Sequence, residues 1–322
     1  MSATPDAPPT PPTPATIAVV GAGGVGGLLA ALLARAGHDV RMRVRGAALA
    51  AVRERGLALR GPDGDHTISP SRADDDPAAL GAADIVLVTV KTWQLAELGP
   101  RLAPLVAGAT TVVPLQNGVT ASDVLGRALG DHHVIGGIAH FNAWTEAPGD
   151  IRWIGARPQL TFGARSPDQR AAVDACAAAF RIPSIDVVVA PDIARALWLK
   201  LLFIAPYGAV GATVRQPVGR WRHDPPCRSR LEAAMHEIVV VAAARGVALP
   251  ADAIATMLAR VDALPDDATS SMHRDIIAGR PSELDDLIGA VVALGRAAGV
   301  PTPTSAALHA ELAALERRAR GG

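Results

Sequence analysis

The chain has 322 residues, 49% of them hydrophobic, which suits one large or two medium domains with full cores. Its 31 basic residues balance 31 acidic ones, so no overall charge favours nucleic acid or an anionic membrane as a partner. Cys176 and Cys227 have neither metal-ligand spacing nor the makings of a disulfide framework, so a metal-free protein of a reducing cytoplasm is expected.

Residues 1–15, MSATPDAPPTPPTPA, are rich in Pro and Thr, with no basic start and no apolar stretch. They read as a disordered tail rather than a signal peptide. No apolar run is expected to reach bilayer-spanning length.

Order is expected from residue 16. A short buried strand covers 17–20, a glycine turn 21–27, and a helix 28–35 that Gly37 stops. Strand 40–44 and helix 47–55 follow, then a turn at 61–65. Residues 84–90 form a continuous apolar strand of the kind buried on both faces of a parallel sheet. Helix 93–102 and strand 110–115 continue the alternation. The stretch 134–162 is strand-rich, 167–180 helical, and 185–189 a last strand. Strands alternating with helices specify a doubly wound α/β sheet. After Pro191 the pattern reads as helices only, at 193–204, 228–245, 251–264, 282–298 and 304–318. The expected division is therefore 16–190 for the α/β domain and 191–318 for an all-helical one.

Gly21-Ala22-Gly23-Gly24-Val25-Gly26 is a G-x-G-x-x-G directly after a strand and opening a helix. Gly21 permits the tight turn, Gly23 lets the backbone approach a pyrophosphate, and Gly26 lets helix and strand pack closely. Gly24 and Val25 begin the helix whose free N–H groups face the phosphates. That context makes the turn the dinucleotide site of a Rossmann-type domain. The following strand, Arg41-Met42-Arg43-Val44-Arg45, has no acid for a ribose 2′-OH. Arg45 at its end is placed for a 2′-phosphate, which selects NADPH over NADH and weighs against a flavin. Arg41 and Arg43 read as ordinary surface cations.

Only two lysines occur, Lys91 and Lys200, although arginine is used freely. Arginine stays charged in a protein, whereas a desolvated lysine gives up its proton near neutral pH. Both lysines follow or lie within apolar runs and are site candidates, with snorkelling to water the alternative. Lys91 and Asn117 both stand at carboxyl ends of strands, where ligands of such sheets bind. Asn117 also begins an Asn-Gly turn pair. Glu283 falls in the first turn of the expected helix 282–298, where a carboxylate also serves as a terminal charge. Ser271 by itself reads as a loop residue.

Taken in order, GAGGVGG, VKTWQ, QNG, RALWLK and SSMHRDI…GRPSELD resemble the ketopantoate reductase (2-dehydropantoate 2-reductase) family over nearly all of residues 16–317. The resemblance implies an NADPH-binding N-terminal domain, a helical C-terminal domain, and hydride transfer to the keto carbon of ketopantoate on the way to pantothenate and coenzyme A. It implies that Lys200 is the general acid and that Glu283 orients substrate near it. It places Asn117 beside nicotinamide and substrate, Lys91 at the cofactor–substrate edge, Ser271 on the substrate carboxylate and Arg45 on the 2′-phosphate. The partner is then a small 2-oxo acid, and a homodimer is compatible with this reading. One departure stands out. The family's best-known members carry asparagines four and eight residues after the catalytic lysine, where this chain has Ile204 and Gly208. An isoleucine cannot hydrogen-bond a hydroxyl or carboxylate, so a sister reductase of another 2-oxo acid remains open. Tyr207, the only tyrosine, is a candidate substitute for the lost polar group. A non-catalytic NADP(H) sensor is the other alternative.

Overall fold

The computed structural model describes residues 13–319. The tail expected over 1–15 falls outside the described residues up to Pro12. Ala15 itself is held, its N–H donating to His38 Nδ1 at 3.2 Å and its carbonyl accepting from Asp39.

The chain divides into two compact units. The first comprises residues up to 90, 94–116 and 122–191; the second comprises 91–93, 117–121 and the chain from 192 onward. The elements of the first begin with β1 (Thr16–Val20), α1 (Gly24–Arg35), β2 (Asp39–Arg43) and α2 (Gly46–Arg55). Then come β3 (Leu57–Gly61), β4 (Gly64–Ile68), β5 (Arg72–Asp74), β6 (Ile85–Val88), α3 (Leu95–Arg101), β7 (Thr111–Pro114) and α4 (Ala121–Leu129). The unit ends with β8 (Gly136–Ala147), β9 (Asp150–Gly163), α5 (Arg170–Phe180) and β10 (Asp186–Val189).

These strands make two sheets. One is all-parallel in the order β5-β2-β1-β6-β7. The direction of winding reverses between β1 and β6, which puts the topological switch point at their carboxyl ends. The second sheet, β10-β9-β3-β4 with β8 also on β9, mixes parallel and antiparallel pairs. The β3–β4 hairpin and β5 are additions to the expected pattern. The 61–65 turn is the tip of that hairpin, and its flanks are too polar to read as strands, since β4 is Gly-Asp-His-Thr-Ile and largely exposed.

Helix α1 is apolar around its whole circumference because it lies against both sheets. Residues 26–33 are all buried. An ideal Cβ on Gly24 would collide with the Ala143 carbonyl of β8, and one on Gly27 would sit 2.5 Å from Ile151 of β9. Gly26 has no room either, since its Cβ would overlap the Gly21 carbonyl and Thr89 Oγ1. The helix therefore starts four residues earlier than the apolar run suggests. Its glycines are what let it approach both β1 and the second sheet.

The second unit contains α6 (Ile193–Val214), α7 (Pro225–Ala244), α8 (Ala253–Asp262), α9 (Ser271–Ile277), α10 (Ile288–Ala298) and α11 (Pro303–Ala319). Among the described residues it has no strand. Its core gathers Trp198, Leu201, Leu202 and Tyr207 from α6, Leu231 and Met235 from α7, and Leu308 and Leu312 from α11. Asp192 caps α6 by accepting from the Arg195 N–H at 2.9 Å.

Helix α6 runs ten residues past the expected end at 204. Pro206 and the glycines after it argue for a break, at about 3 kcal/mol for an interior proline. Residues 205–212 are all buried, and the apolar surface they remove from water outweighs that cost. The longer helix also revises the expectation about apolar length: α6 is long and apolar enough to cross a membrane by composition, but 67% of its most apolar window is buried inside the unit, as in a core helix. Helix α10 begins at Ile288 rather than 282, because Leu287 N–H bonds back to the Glu283 carbonyl and Gly289 N–H to that of Leu284, a run of turns.

Gly26→Ala is expected to lower the urea midpoint by an amount equivalent to about 1–3 kcal/mol with an unchanged slope, since its methyl must displace backbone. An unchanged midpoint would show that α1 and β1 are less tightly apposed than described.

Candidate functional site

In the first unit the glycine turn lies at the switch point. Gly21 has φ +114°, a conformation that side chains disfavour, and its N–H donates to the Arg43 carbonyl at 3.1 Å. Thr89 Oγ1 lies 3.0 Å from the Val20 carbonyl and 3.1 Å from that of Gly21, pinning the turn to the end of β6. A Cβ on Gly23 would meet nothing within 4 Å, so the backbone there is open to a close-lying group. The first turn of α1 carries no acidic residue. Open backbone at a helix N-terminus without a repelling carboxylate fits a pyrophosphate.

Arg45 is the N-cap residue of α2, exposed, with extended backbone. Among the described residues no carboxylate pairs with it. Its neighbours behave otherwise, which corrects the reading of Arg41 and Arg43 as surface cations. Arg41 pairs with Asp39 at 2.8 Å and donates to the Leu80 carbonyl at 2.7 Å. Arg43 is buried and donates from Nε to the Asp75 carbonyl at 3.0 Å. Arg45 alone of the three is available to an incoming phosphate.

The second unit holds a charged cluster. Asn117 and Lys91, which follow β7 and β6 in the chain, belong to this unit by packing. Gly118 has φ +99°, so the Asn-Gly turn is real. The same turn aims Asn117 Nδ2 at Glu283 Oε2, 3.3 Å away. Lys91 Nζ stands 3.4 Å from that Glu283 oxygen, 3.8 Å from Asp275 Oδ2, and 5.8 Å from the centre of the Trp93 ring. Glu283 is 6% exposed. It lies in the turns five residues before α10, so the reading of it as an N-terminal helix charge does not hold. Its carboxylate is bound by side chains instead.

Lys200 sits midway along α6. Burial lowers its ammonium pKa to about 8; the Glu283 charge opposes that fall and the Arg260 charge adds to it. Glu283 thus touches Asn117 and Lys91 and acts through its field on Lys200. Asp286 is the mirror case, raised to about 6 by burial and by the Glu283 and Asp285 charges against the pull of Lys91. A proton donor poised near neutrality beside a fixed carboxylate is what reduction of a carbonyl requires of a protein.

Ser271 is the first residue of α9 and is exposed; it is Ser270 that caps the helix, accepting from the His273 N–H at 3.0 Å. Tyr207 is 7% exposed, stacked on Phe203 at 5.5 Å between centroids and tilted against Trp221 at 6.0 Å. Burial pushes its hydroxyl up to about 12. His273 is also buried, with its pKa lowered for the same reason. Asp275, Asp286 and Arg260 joined the cluster without notice from the sequence. The only signal for the two acids was their nearness in the chain to Glu283, and for Arg260 there was none.

A parallel sheet with a glycine turn at its switch point, followed by a helical unit carrying a lysine–carboxylate pair, is the makeup of a Rossmann-type oxidoreductase. The family model described as ketopantoate reductase PanE/ApbA matches residues 17–167, and that of its C-terminal region matches 192–316. The chain belongs to the ketopantoate reductase family. It is 30% identical over 312 residues to a 2-dehydropantoate 2-reductase of Mesorhizobium japonicum, covering 90% of this chain and 94% of that one. A protein of the same name from Halobacterium salinarum is 32% identical, covering 84% and 88%. The crystal structure of 2-dehydropantoate 2-reductase from Geobacter metallireducens superposes with TM-score 0.85 at 30% identity, over 93% of this chain and 99% of that one.

Glu283→Gln should lower the Lys200 pKa further below about 8, because it removes the anion that holds the proton on. NMR titration of the lysine Nζ reads this directly. An unmoved or raised value would contradict the pairing.

Proposed function

We propose that this chain reduces 2-dehydropantoate to pantoate with NADPH, in pantothenate and coenzyme A synthesis in the cytoplasm. The observation that carries the reading is Lys200, an ammonium brought to about 8 by burial and acted on by the Glu283 carboxylate. Bound NADPH supplies the hydride that the keto carbon accepts.

The remaining work belongs to the chain. Gly23, Gly24, Val25 and Gly26 hold the pyrophosphate through backbone N–H groups, and Gly21, whose own N–H is taken by the Arg43 carbonyl, makes the turn that presents them. Arg45 pairs with the 2′-phosphate, the feature that distinguishes NADPH from NADH. Lys200 donates its proton to the keto oxygen as negative charge develops there. At pH 7 a group titrating near 8 is mostly protonated, yet it gives up the proton far more readily than an exposed lysine. Glu283 keeps that proton on Lys200 until it is needed, and Asn117 and Lys91 hold the Glu283 carboxylate in place while facing the cofactor–substrate edge. Ser271 offers a hydroxyl to the substrate carboxylate.

One observation favours a second reading, a sister reductase of another 2-oxo acid. A Cβ on Gly208 would lie 3.0 Å from Met272 Cε and 3.0 Å from Ser270 Oγ, so a larger side chain there would have to displace both. Ile204 packs against the apolar core of the unit. A face polar in the family's best-known members is apolar here, which suits a substrate with fewer hydroxyls. A panel of 2-oxo acids with NADPH oxidation as readout separates the two: 2-dehydropantoate having the highest kcat/KM supports the first reading, and a plain branched 2-oxo acid surpassing it supports the second.

Lys200→Met is expected to cut kcat by roughly 10²–10⁴-fold while NADPH affinity stays within a few-fold. Undiminished turnover would remove Lys200 from the reaction. Arg45→Ala should weaken NADPH binding by about ten- to a hundred-fold and leave NADH binding unchanged, measured by fluorescence titration of each. Equal loss for both nucleotides would assign Arg45 to something other than the 2′-phosphate.

A further inference from the structure

Among the described residues Arg43 is the one buried arginine, with 7% of its surface exposed. A guanidinium cannot shed its charge, so burying it is costly unless an acid compensates. Its Nε donates to the Asp75 carbonyl at 3.0 Å, which satisfies one N–H and neutralises nothing. Among the described residues no carboxylate lies within ion-pair distance of it.

The acids nearby are engaged elsewhere or act weakly. Asp74, opposite Arg43 in the β2–β5 register, pairs with Arg53 at 2.6 Å and accepts from the Asp76 N–H. Asp76 accepts from the Ala78 N–H at 3.0 Å. Asp75 does act on Arg43, but least of the influences there. Burial lowers the guanidinium pKa most, the Arg45 charge next and the Arg101 charge after that, with Asp75 opposing them. Two cations outweigh one anion at this end of β2.

The backbone brings the three arginines together. Arg43 and Arg45 are two apart in extended chain, because the Val44 N–H continues the ladder to the Asp74 carbonyl at 2.8 Å, so their side chains leave on the same side. Arg101 is the last residue of α3, and the turn just after it, at 103–105, packs against the turn at 77–79 that follows Asp75. Arg45 and Arg101 are exposed, and neither has a carboxylate within ion-pair distance among the described residues. The first turn of α2, which Arg45 caps, holds no acid, and a Cβ on Gly46 would meet nothing within 4 Å.

Such a concentration of positive charge suits a multiply charged anion. A phosphomonoester offers three acceptor oxygens and meets two guanidinium forks at once. In a sheet of this kind the adenosine ribose of a dinucleotide lies at the end of the second strand, where the cluster stands.

We propose that Arg101 is a second cofactor-binding residue, taking the ribose 2′-phosphate of NADPH together with Arg45 beside the fixed, buried charge of Arg43. The proposal rests on the reading that the chain uses NADPH, and it makes that preference depend on α3 as well as on the end of β2.

The test is calorimetry on the full chain with 2′,5′-ADP and with 5′-AMP, which lacks the 2′-phosphate. Arg101→Gln is expected to weaken 2′,5′-ADP by roughly five- to fifty-fold and to leave 5′-AMP unchanged. Arg101→Lys should fall between Gln and the parent, since it keeps the charge but not the fork. Removing one of three like charges should leave the urea midpoint of the ligand-free protein unchanged or raised. Binding of 2′,5′-ADP as tight in Arg101→Gln as in the parent would overturn the proposal, whatever Arg45→Ala does. So would equal losses for both nucleotides, or a lowered midpoint, either of which would make Arg101 a structural residue. A parent that binds 2′,5′-ADP no better than 5′-AMP would instead sink the NADPH reading itself, and the proposal with it.

Discussion

The arrangement of the helical unit turns on one electrostatic compromise, a lysine ammonium taken out of water on α6 and kept charged by a buried carboxylate. Burying either group alone is costly. Neither is left alone: Glu283 accepts from Asn117 and faces Lys91, and its field offsets part of what Lys200 loses. The balance leaves Lys200 near 8 rather than 10.5, between a permanent cation and a neutral amine. An arginine in its place would stay charged throughout, whereas the lysine there titrates near 8.

The rest of the unit serves that compromise. Helix α6 continues past Pro206 because residues 205–212 are buried in the core of the unit. The turns before α10 must stay non-helical because Glu283 reaches Asn117 and Lys91 from there. Segments 91–93 and 117–121 pack with the helices although each directly follows a strand of the parallel sheet in the chain. In the first unit the corresponding constraint is steric. Gly21, Gly24, Gly26 and Gly27 are each small for a named contact, while Gly23 is small where nothing touches it. Four of the glycines serve packing and one leaves its backbone open.

Much of this was legible in the sequence, for physical reasons that differ by residue. The parallel sheet announced itself through apolar runs flanked by turn residues, and the glycine turn through its place between a strand and a helix. Lys200 stood out as one of only two lysines, set inside Leu-Trp-Leu-Lys-Leu-Leu-Phe-Ile, with snorkelling to water the competing reading. Helix ends were less legible: α6 passes the end expected at 204 because the burial of residues 205–212 is set by tertiary packing, and the helix expected from 282 begins only after a run of turns. Arg41, Arg43 and Arg45 look alike in sequence, and only their partners tell them apart. Arg260 was invisible because its charge acts on Lys200, some sixty residues away in the chain, and no local pattern encodes that.

The most direct test of the central claim is the pH dependence of kcat for NADPH-driven reduction of the best 2-oxo acid. Only the ammonium form of Lys200 can donate, so the rate is expected to be level below the lysine's pKa and to fall tenfold per unit above about 8. A rate that stays flat to pH 10, or that rises with pH, would contradict the claim that this buried amine supplies the proton.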